Sequence, residues 1–283
     1  MKRKQILLVN DMAGHSKVGM GAMIPVLSYM GHPTFNLPTA LVSNTFDYGK
    51  FAVMDTTAYI RQTLQVWKEL GFSYDAICTG WMYGSEQAQL VADYCREQAE
   101  NGVTVFVDPV LGDGGRLYNG MAEDHVELMR RMVSVAHLAM PNYTEACYLT
   151  GTEYNADGLS WDEACTLLDG IAALGAKSAI ITSARVDGFS CVIGRRSDAP
   201  LAGFEQHIDA GRYFRLDYDE IPVAFHGTGD IFSAILIGHL MNGEPLMEST
   251  RIAMDTVSRL IDRNRALPDK CRGIPIEQCL DLL

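Results

Sequence analysis

The chain has 283 residues, 48% hydrophobic and 20% charged, with 23 Lys and Arg against 35 Asp and Glu, a formal net charge of −12. That balance excludes a disordered or membrane-embedded chain. Its negative field disfavours nucleic acid and anionic membranes as partners, although backbone amides, lysines or a metal can still build a local anion site. No Pro/Ser-rich linker, charge block or internal repeat divides the sequence, so residues 1–283 read as one domain. Seven scattered cysteines without a CxxC pair argue against a disulfide framework or zinc site, and the apolar run after the basic start is too short for a signal sequence. A cytoplasmic protein is expected.

In chain order, the β-branched run Ile6 to Val9 predicts a first strand that ends at Asn10 and Asp11, and a second candidate strand ends in the segment Leu37 to Asn44. Helical spacing follows over 54–70, with Tyr59, Ile60, Leu64, Trp67 and Leu70 on one stripe. A strand at 76–78, a helix over 86–99 and a strand over 103–107 continue the alternation. Runs as apolar as 103–107 suit strands covered on both faces, and strand–helix alternation predicts parallel βαβ units. A strand ends at Met140, and Gly175 closes a helix before the strand at 179–182. The pieces 189–193 and 213–216 predict edge hairpins. A strongly apolar helix then opens at Gly227, and another covers roughly 246–264.

Chemistry concentrates where strands end. The run His226, Gly227, Thr228, Gly229, Asp230 places two glycines and an acid at a helix mouth, where close backbone approach and free amides favour an anion such as a transferring phosphate. The plainer reading makes Thr228 an N-cap and Asp230 a first-turn carboxylate. Asp108 follows a strand and precedes Pro109 and a Gly-rich loop bearing Asp113 and Arg116, a donor set suited to Mg²⁺ and phosphate, or else an ordinary surface turn. Asn142 and Glu145 have capping-box spacing, compatible with also holding a water-bound cation. Asn10, Asp11, Thr39 and Ser43 offer small polar groups near strand ends, and Trp81 an aromatic face for a planar substrate. Turn formation and core burial are their plainer uses. The stretch Gly170 to Ser178 only approximates a P-loop, because Ala176 is inserted and the order is helix then strand.

Together these segments resemble the pyridoxal/pyridoxamine kinase family of the ribokinase-like superfamily, from about residue 5 to 260. The resemblance is carried by Asn10 to Gly14, Leu37 to Asn44, Thr79 to Trp81, Asp108 to Asp113, Pro141 to Glu145, Ile181 to Ser183 and Gly227 to Asp230. It implies an α/β fold, a three-layer α/β/α sandwich with a mostly parallel central sheet, edge hairpins and a short lid. The implied reaction is ATP-dependent phosphorylation of the 5′-hydroxymethyl of a vitamin B6 vitamer. By that resemblance Asp230 is the catalytic base, kept ionised, and the amides of Gly227, Thr228 and Gly229 form the anion hole. Asp108, Asp113, Tyr118, Asn142, Thr182 and Ser183 lie on the nucleotide side, with Asp108 and Glu145 near Mg²⁺. Asn10 or Asp11, Thr39, Ser43 and Trp81 surround the pyridine ring. ATP and Mg²⁺ are the expected cofactors, a monovalent cation is a further candidate, and a homodimer is the expected assembly.

Three departures from the family pattern fall on the acceptor side: Thr45 replaces the usual lid histidine, the segment His15 to Gly19 is altered, and Trp81 stands where a smaller aromatic or Tyr is common. A hydroxymethylpyrimidine kinase of thiamin synthesis is the related alternative, and a non-catalytic B6 binder the alternative of another class. A ribose-type sugar kinase fits less well, because the stretch between Thr39 and Met54 is short for a large sheet lid.

Overall fold

The computed structural model describes residues 4–119, 121, 123–197 and 211–283. It opens with β1 (Ile6–Ala13), α1 (Met20–Tyr29), β2 (Thr34–Val42), β3 (Val53–Asp55), α2 (Thr57–Glu69) and β4 (Ala76–Thr79). Then come α3 (Ser85–Glu100), β5 (Thr104–Val107), the two-residue strands β6 (Gly112–Asp113) and β7 (Arg116–Leu117), α4 (Glu123–Val133) and β8 (Leu138–Ala139). The remainder is α5 (Tyr143–Thr150), α6 (Trp161–Ala173), β9 (Ser178–Val186), β10 (Phe189–Arg195), β11 (Tyr213–Asp217), α7 (Thr228–Met241) and α8 (Leu246–Asn264). Short 3₁₀ turns lie at Phe46–Tyr48, Ile276–Gln278 and Leu280–Leu282.

The chain forms two compact units. The first combines residues 1–83, 221–244 and 248–283, and the second residues 84–220 and 245–247. In the first, β4, β1 and β2 run parallel in that order, and β3 adds antiparallel to β2. Every residue from Ile6 to Asn10 and from Ala76 to Thr79 is buried, which is why these strands read as unbroken apolar runs. Helix α1 packs on β1, β2 and α7. Nearly all of α7 between Ile231 and Met241 is buried, so it is apolar all round rather than along one stripe.

In the second unit, β5, β8 and β9 are parallel, and β10 and β11 continue the sheet antiparallel from β9. The expected mostly parallel α/β arrangement with flanking helices and edge hairpins is therefore the one observed. One boundary and one buried face differ from expectation. Val53 to Asp55 is a strand, so α2 starts only at Thr57, where Asp55 Oδ1 receives the Thr57 N–H at 2.8 Å. The stripe on α2 is also narrower than its spacing implies: Ile60 and Leu64 are buried, whereas Tyr59 is 51% and Leu70 61% exposed. All seven cysteines are free.

Candidate active site

In the first unit, α7 begins with Gly227 in the left-handed region at φ 79°, where a β-carbon would overlap the Lys17 carbonyl oxygen, so glycine is the residue the turn accepts. No side chain caps this helix. The plainer reading of Thr228 as the N-cap does not hold: Gly227 occupies that position, and the Thr228 hydroxyl donates to Phe225 O at 3.1 Å, fastening the turn below it. The first amides of α7, including those of Thr228 and Gly229, are thus free of side-chain caps at the positive end of the helix.

Asp230, in that first turn, accepts from the Gly19 N–H at 2.8 Å on Oδ2 and from Asn10 Nδ2 at 3.1 Å on Oδ1. Part of the residue stays accessible, yet desolvation pushes its carboxyl above the ordinary range while those two donors pull it back. Asn10, at the end of the buried stretch of β1, receives the N–H of Asp11 at 2.9 Å and of Trp81 at 3.0 Å on its Oδ1. Asp11 lies against Gly19. Desolvation first, and the Asp230 charge second, push its carboxyl up to about 7.

The two acids therefore favour a single negative charge between them, with one proton held by the pair. Because the folded state holds that proton more tightly than the unfolded chain, stability falls as pH rises from about 4 through about 7. Asp11→Asn is expected to flatten this dependence, measured as denaturant midpoints at pH 5 and pH 8.

The other acceptor-side candidates have varied surroundings. Asp11 faces two β2 residues, Thr39 and Ala40, because the register steps from Asn10 opposite Pro38 to Met12 opposite Leu41; the buried Thr39 sits in that bulge. The Ser43 hydroxyl is taken up locally, donating to Asn44 Oδ1 at 2.7 Å and accepting from Ala52 N at 2.8 Å. Trp81 packs edge-on to Phe46 and Tyr83, with centroids at 6.2 and 6.1 Å, and its buried indole Nε1 donates to no side chain or backbone group among the described residues. Thr45 fastens the 45–48 turn, its hydroxyl donating to Cys271 O at 3.3 Å, while Tyr48 donates to Asp269 at 2.6 Å and Asp47 pairs with His226 at 3.4 Å.

The second unit carries the other candidates. Asp108 follows β5 directly. Asn142 and Glu145 form a reciprocal capping box on α5: Asn142 Oδ1 accepts from Glu145 N at 2.9 Å, and Glu145 Oε2 accepts from Asn142 N at 2.8 Å. Glu145 Oε1 also accepts from Leu111 N at 3.0 Å, and Asn142 Nδ2 donates to Gly112 O at 2.8 Å, so the box doubles as an anchor for the Gly-rich loop. Burial, and then the neighbouring Asp108 charge, push the Glu145 carboxyl well up. A divalent cation beside two acids that repel one another would relieve that repulsion, and carboxylate oxygens suit Mg²⁺. No group of three or more His, Cys, Asp or Glu among the described residues is placed to hold a metal by itself.

The loop itself rests on α5 through Gly115 N to Thr144 Oγ1 at 2.9 Å, with Asp113 exposed and capping its own turn through Gly114 N at 2.7 Å. Tyr118 is exposed, its N–H donating to Leu111 O at 3.0 Å. Thr182 and Ser183 form a bulge in β9: Cys191 pairs with Ala184 and Ile193 with Ile181, leaving these two residues opposite one. Ser183 takes φ 54°, rare for a residue with a β-carbon, and its side chain hydrogen-bonds with Tyr218. Thr182 N donates to Pro141 O at 3.0 Å, placing this bulge beside the Asn142 cap.

Gly19 and Gly80 enter the sequence reading only as parts of the His15–Gly19 and Thr79–Trp81 segments, without a role, and the structure puts both against Asn10, Asp11 or Asp230. Their signal is a glycine flanking a strand-end polar residue, which becomes specific only once the partner is known.

A profile of the phosphomethylpyrimidine kinase family matches residues 18–273. A Bordetella avium pyridoxine/pyridoxal/pyridoxamine kinase is 27% identical over 96% of this chain and 94% of its own. Among solved structures, a Bacteroides thetaiotaomicron chain named for phosphomethylpyrimidine kinase, in a crystal form with pyridoxal, matches with a TM-score of 0.88 and 31% identity over 99% of this chain and 96% of that one. A Lactobacillus plantarum pyridoxal kinase matches with a TM-score of 0.83 and 26% identity over 98% and 95%. No helix among the described residues is long and apolar enough to cross a membrane. An acid at the mouth of an uncapped helix and a full-length match to small-molecule kinases agree: the chain is a kinase of the phosphomethylpyrimidine kinase family and belongs with its pyridoxal kinase relatives.

Proposed function

We propose that the protein transfers the γ-phosphoryl group of ATP to the 5′-hydroxymethyl of pyridoxal, pyridoxamine or pyridoxine. The observation that carries this reading is Asp230, held between Asn10 and Gly19 at the head of α7 beside uncapped amides. Asp230 accepts the hydroxyl proton as the oxygen–phosphorus bond forms and the bond to the departing ADP breaks, while the amides of Gly227, Thr228 and Gly229 face the charge on the transferring group. Phosphoryl transfer asks mainly for positioning and charge neutralisation, so a base and an amide cradle are the protein's principal contributions. Asp108 and Glu145 are the residues that would hold Mg²⁺, which supplies neutralisation of phosphate charge when bound. Asp113, Tyr118, Asn142, Thr182 and Ser183 are assigned to the nucleotide, and Asp11, Thr39 and Trp81 to the acceptor ring. The two units work as one kinase domain in this reading, as a cytoplasmic homodimer.

The pyridoxal in the Bacteroides crystal form supports a B6 acceptor. The family profile favours a second acceptor, hydroxymethylpyrimidine, a ring of similar size with the same reacting group. An ADP-release assay with Mg²⁺ against the three vitamers and hydroxymethylpyrimidine separates them. Turnover on vitamers is the expected result; turnover confined to hydroxymethylpyrimidine would overturn the B6 assignment. Tight vitamer binding without ADP release would make the protein a binder.

A further inference from the structure

We propose that Asn10, in the space left by Gly80, is a positioning residue for Asp230 that fixes the carboxylate's direction; its catalytic meaning rests on Asp230 being the base. Backbone amides only donate, and two of them, Asp11 N and Trp81 N, converge on one atom of the Asn10 carboxamide at 2.9 and 3.0 Å. That atom is the oxygen, so Nδ2 is the atom at 3.1 Å from Asp230 Oδ1. With Gly19 N on Oδ2, each oxygen of the Asp230 carboxylate has its own donor from a separate segment, and the side chain is held at both ends.

Asn10 is 3% exposed, and its oxygen is already committed to two donors, which leaves it poorly placed to serve an acceptor ring. Gly80 explains how the carboxamide fits. Its N–H donates to Val9 O at 2.9 Å, tying it to β1, and a β-carbon there would overlap Asn10 Oδ1, Cγ and Nδ2. The backbone of Gly80 lies outside the left-handed region, so alanine is acceptable to the chain itself, and the strain of Gly80→Ala falls on the Asn10 side chain. The ionisable group that faces Asp230 from β1 is Asp11, and α1, packed against α7, carries no charged side chain.

The test compares the wild type, Asn10→Ala and Gly80→Ala by three readouts: the pH profile of kcat, the acceptor KM, and carboxyl titration followed by ¹³C NMR, with the Asp230 signal assigned by its loss in Asp230→Asn. Both variants are expected to move the Asp230 titration and the acidic limb of kcat upward by about one pH unit, so that kcat falls by about tenfold at pH values on that limb. Acceptor KM should stay within about threefold. Gly80→Ala retains both partners, so a matching shift there traces the effect to position rather than to loss of a side chain, and it decides the matter if Asn10→Ala does not fold. A raised KM with an unmoved titration and pH limb would overturn the proposal and make Asn10 an acceptor contact. Wild-type protein without turnover would defeat the kinase reading, while the titration would still decide whether Asn10 tunes Asp230.

Discussion

Asp230→Asn is expected to lower kcat by about 10²–10⁴, the range over which a positioned general base contributes, with the fold and ATP affinity retained. The substitution keeps one acceptor for the Gly19 N–H and places an amide where Asn10 Nδ2 donates. It therefore sets donor against donor at one site besides removing the base. Thermal melts and nucleotide titrations run alongside the ADP-release assay separate loss of chemistry from loss of structure. A variant that turns over at the wild-type rate would remove Asp230 from the mechanism, and the amides of α7 would then have to act with a different base.

Glu145→Ala should produce the largest loss of stability among the site variants. The side chain is 4% exposed, and its two oxygens receive the N–H groups of Asn142 and Leu111. Removing both acceptors costs about 1–3 kcal/mol for each stranded donor, so a fall in unfolding free energy of about 2–6 kcal/mol is expected by denaturant titration. Glu145→Gln should be milder, since it keeps one acceptor and removes the repulsion from Asp108. It should also be less sensitive to pH. The wild-type carboxyl, raised in the folded state, makes the protein less stable as pH climbs above the ordinary carboxylate range, and an amide has no such term. If Glu145→Ala proves as stable as the wild type, the Gly-rich loop does not depend on the α5 cap.

What could be read from the sequence was governed by whether a signal is local. Strands β1, β4 and β5 are buried on both faces and betray themselves by unbroken apolar runs, and α7 by its length and composition. Helix α1 escaped detection because it is apolar on nearly every side and contains Pro25, so neither a clean stripe nor a reliable propensity marks it. The miniature strands β6 and β7 span two residues each inside a glycine-rich loop, too short for any periodicity. In the site, the cap of α5 was legible because its partners are three residues apart, whereas the capping reading of Thr228 fails because a glycine in the left-handed region takes that position. Asn10 was legible as a strand-end polar residue but not as the partner of Asp230, which lies 220 positions further on. Resemblance to a family puts Asn10 or Asp11 at the ring, and the fold adds the contact from Asn10 Nδ2 to Asp230.

The first unit is discontinuous in the chain: β1 and β4 precede the second unit, and α7 follows it. During synthesis Asn10 leaves the ribosome long before Asp230 exists, with roughly 140 residues of the second unit translated in between. At about 5–20 residues per second the 220 positions between Asn10 and Asp230 take roughly 10–45 s, during which the parallel pair β1–β2 has no α7 to cover α1. Nascent chains are therefore catalytically silent until near completion. The interval is also when the apolar surface of β1 and α1 most needs shielding, so slowing translation after residue 220 should increase chaperone association rather than help folding.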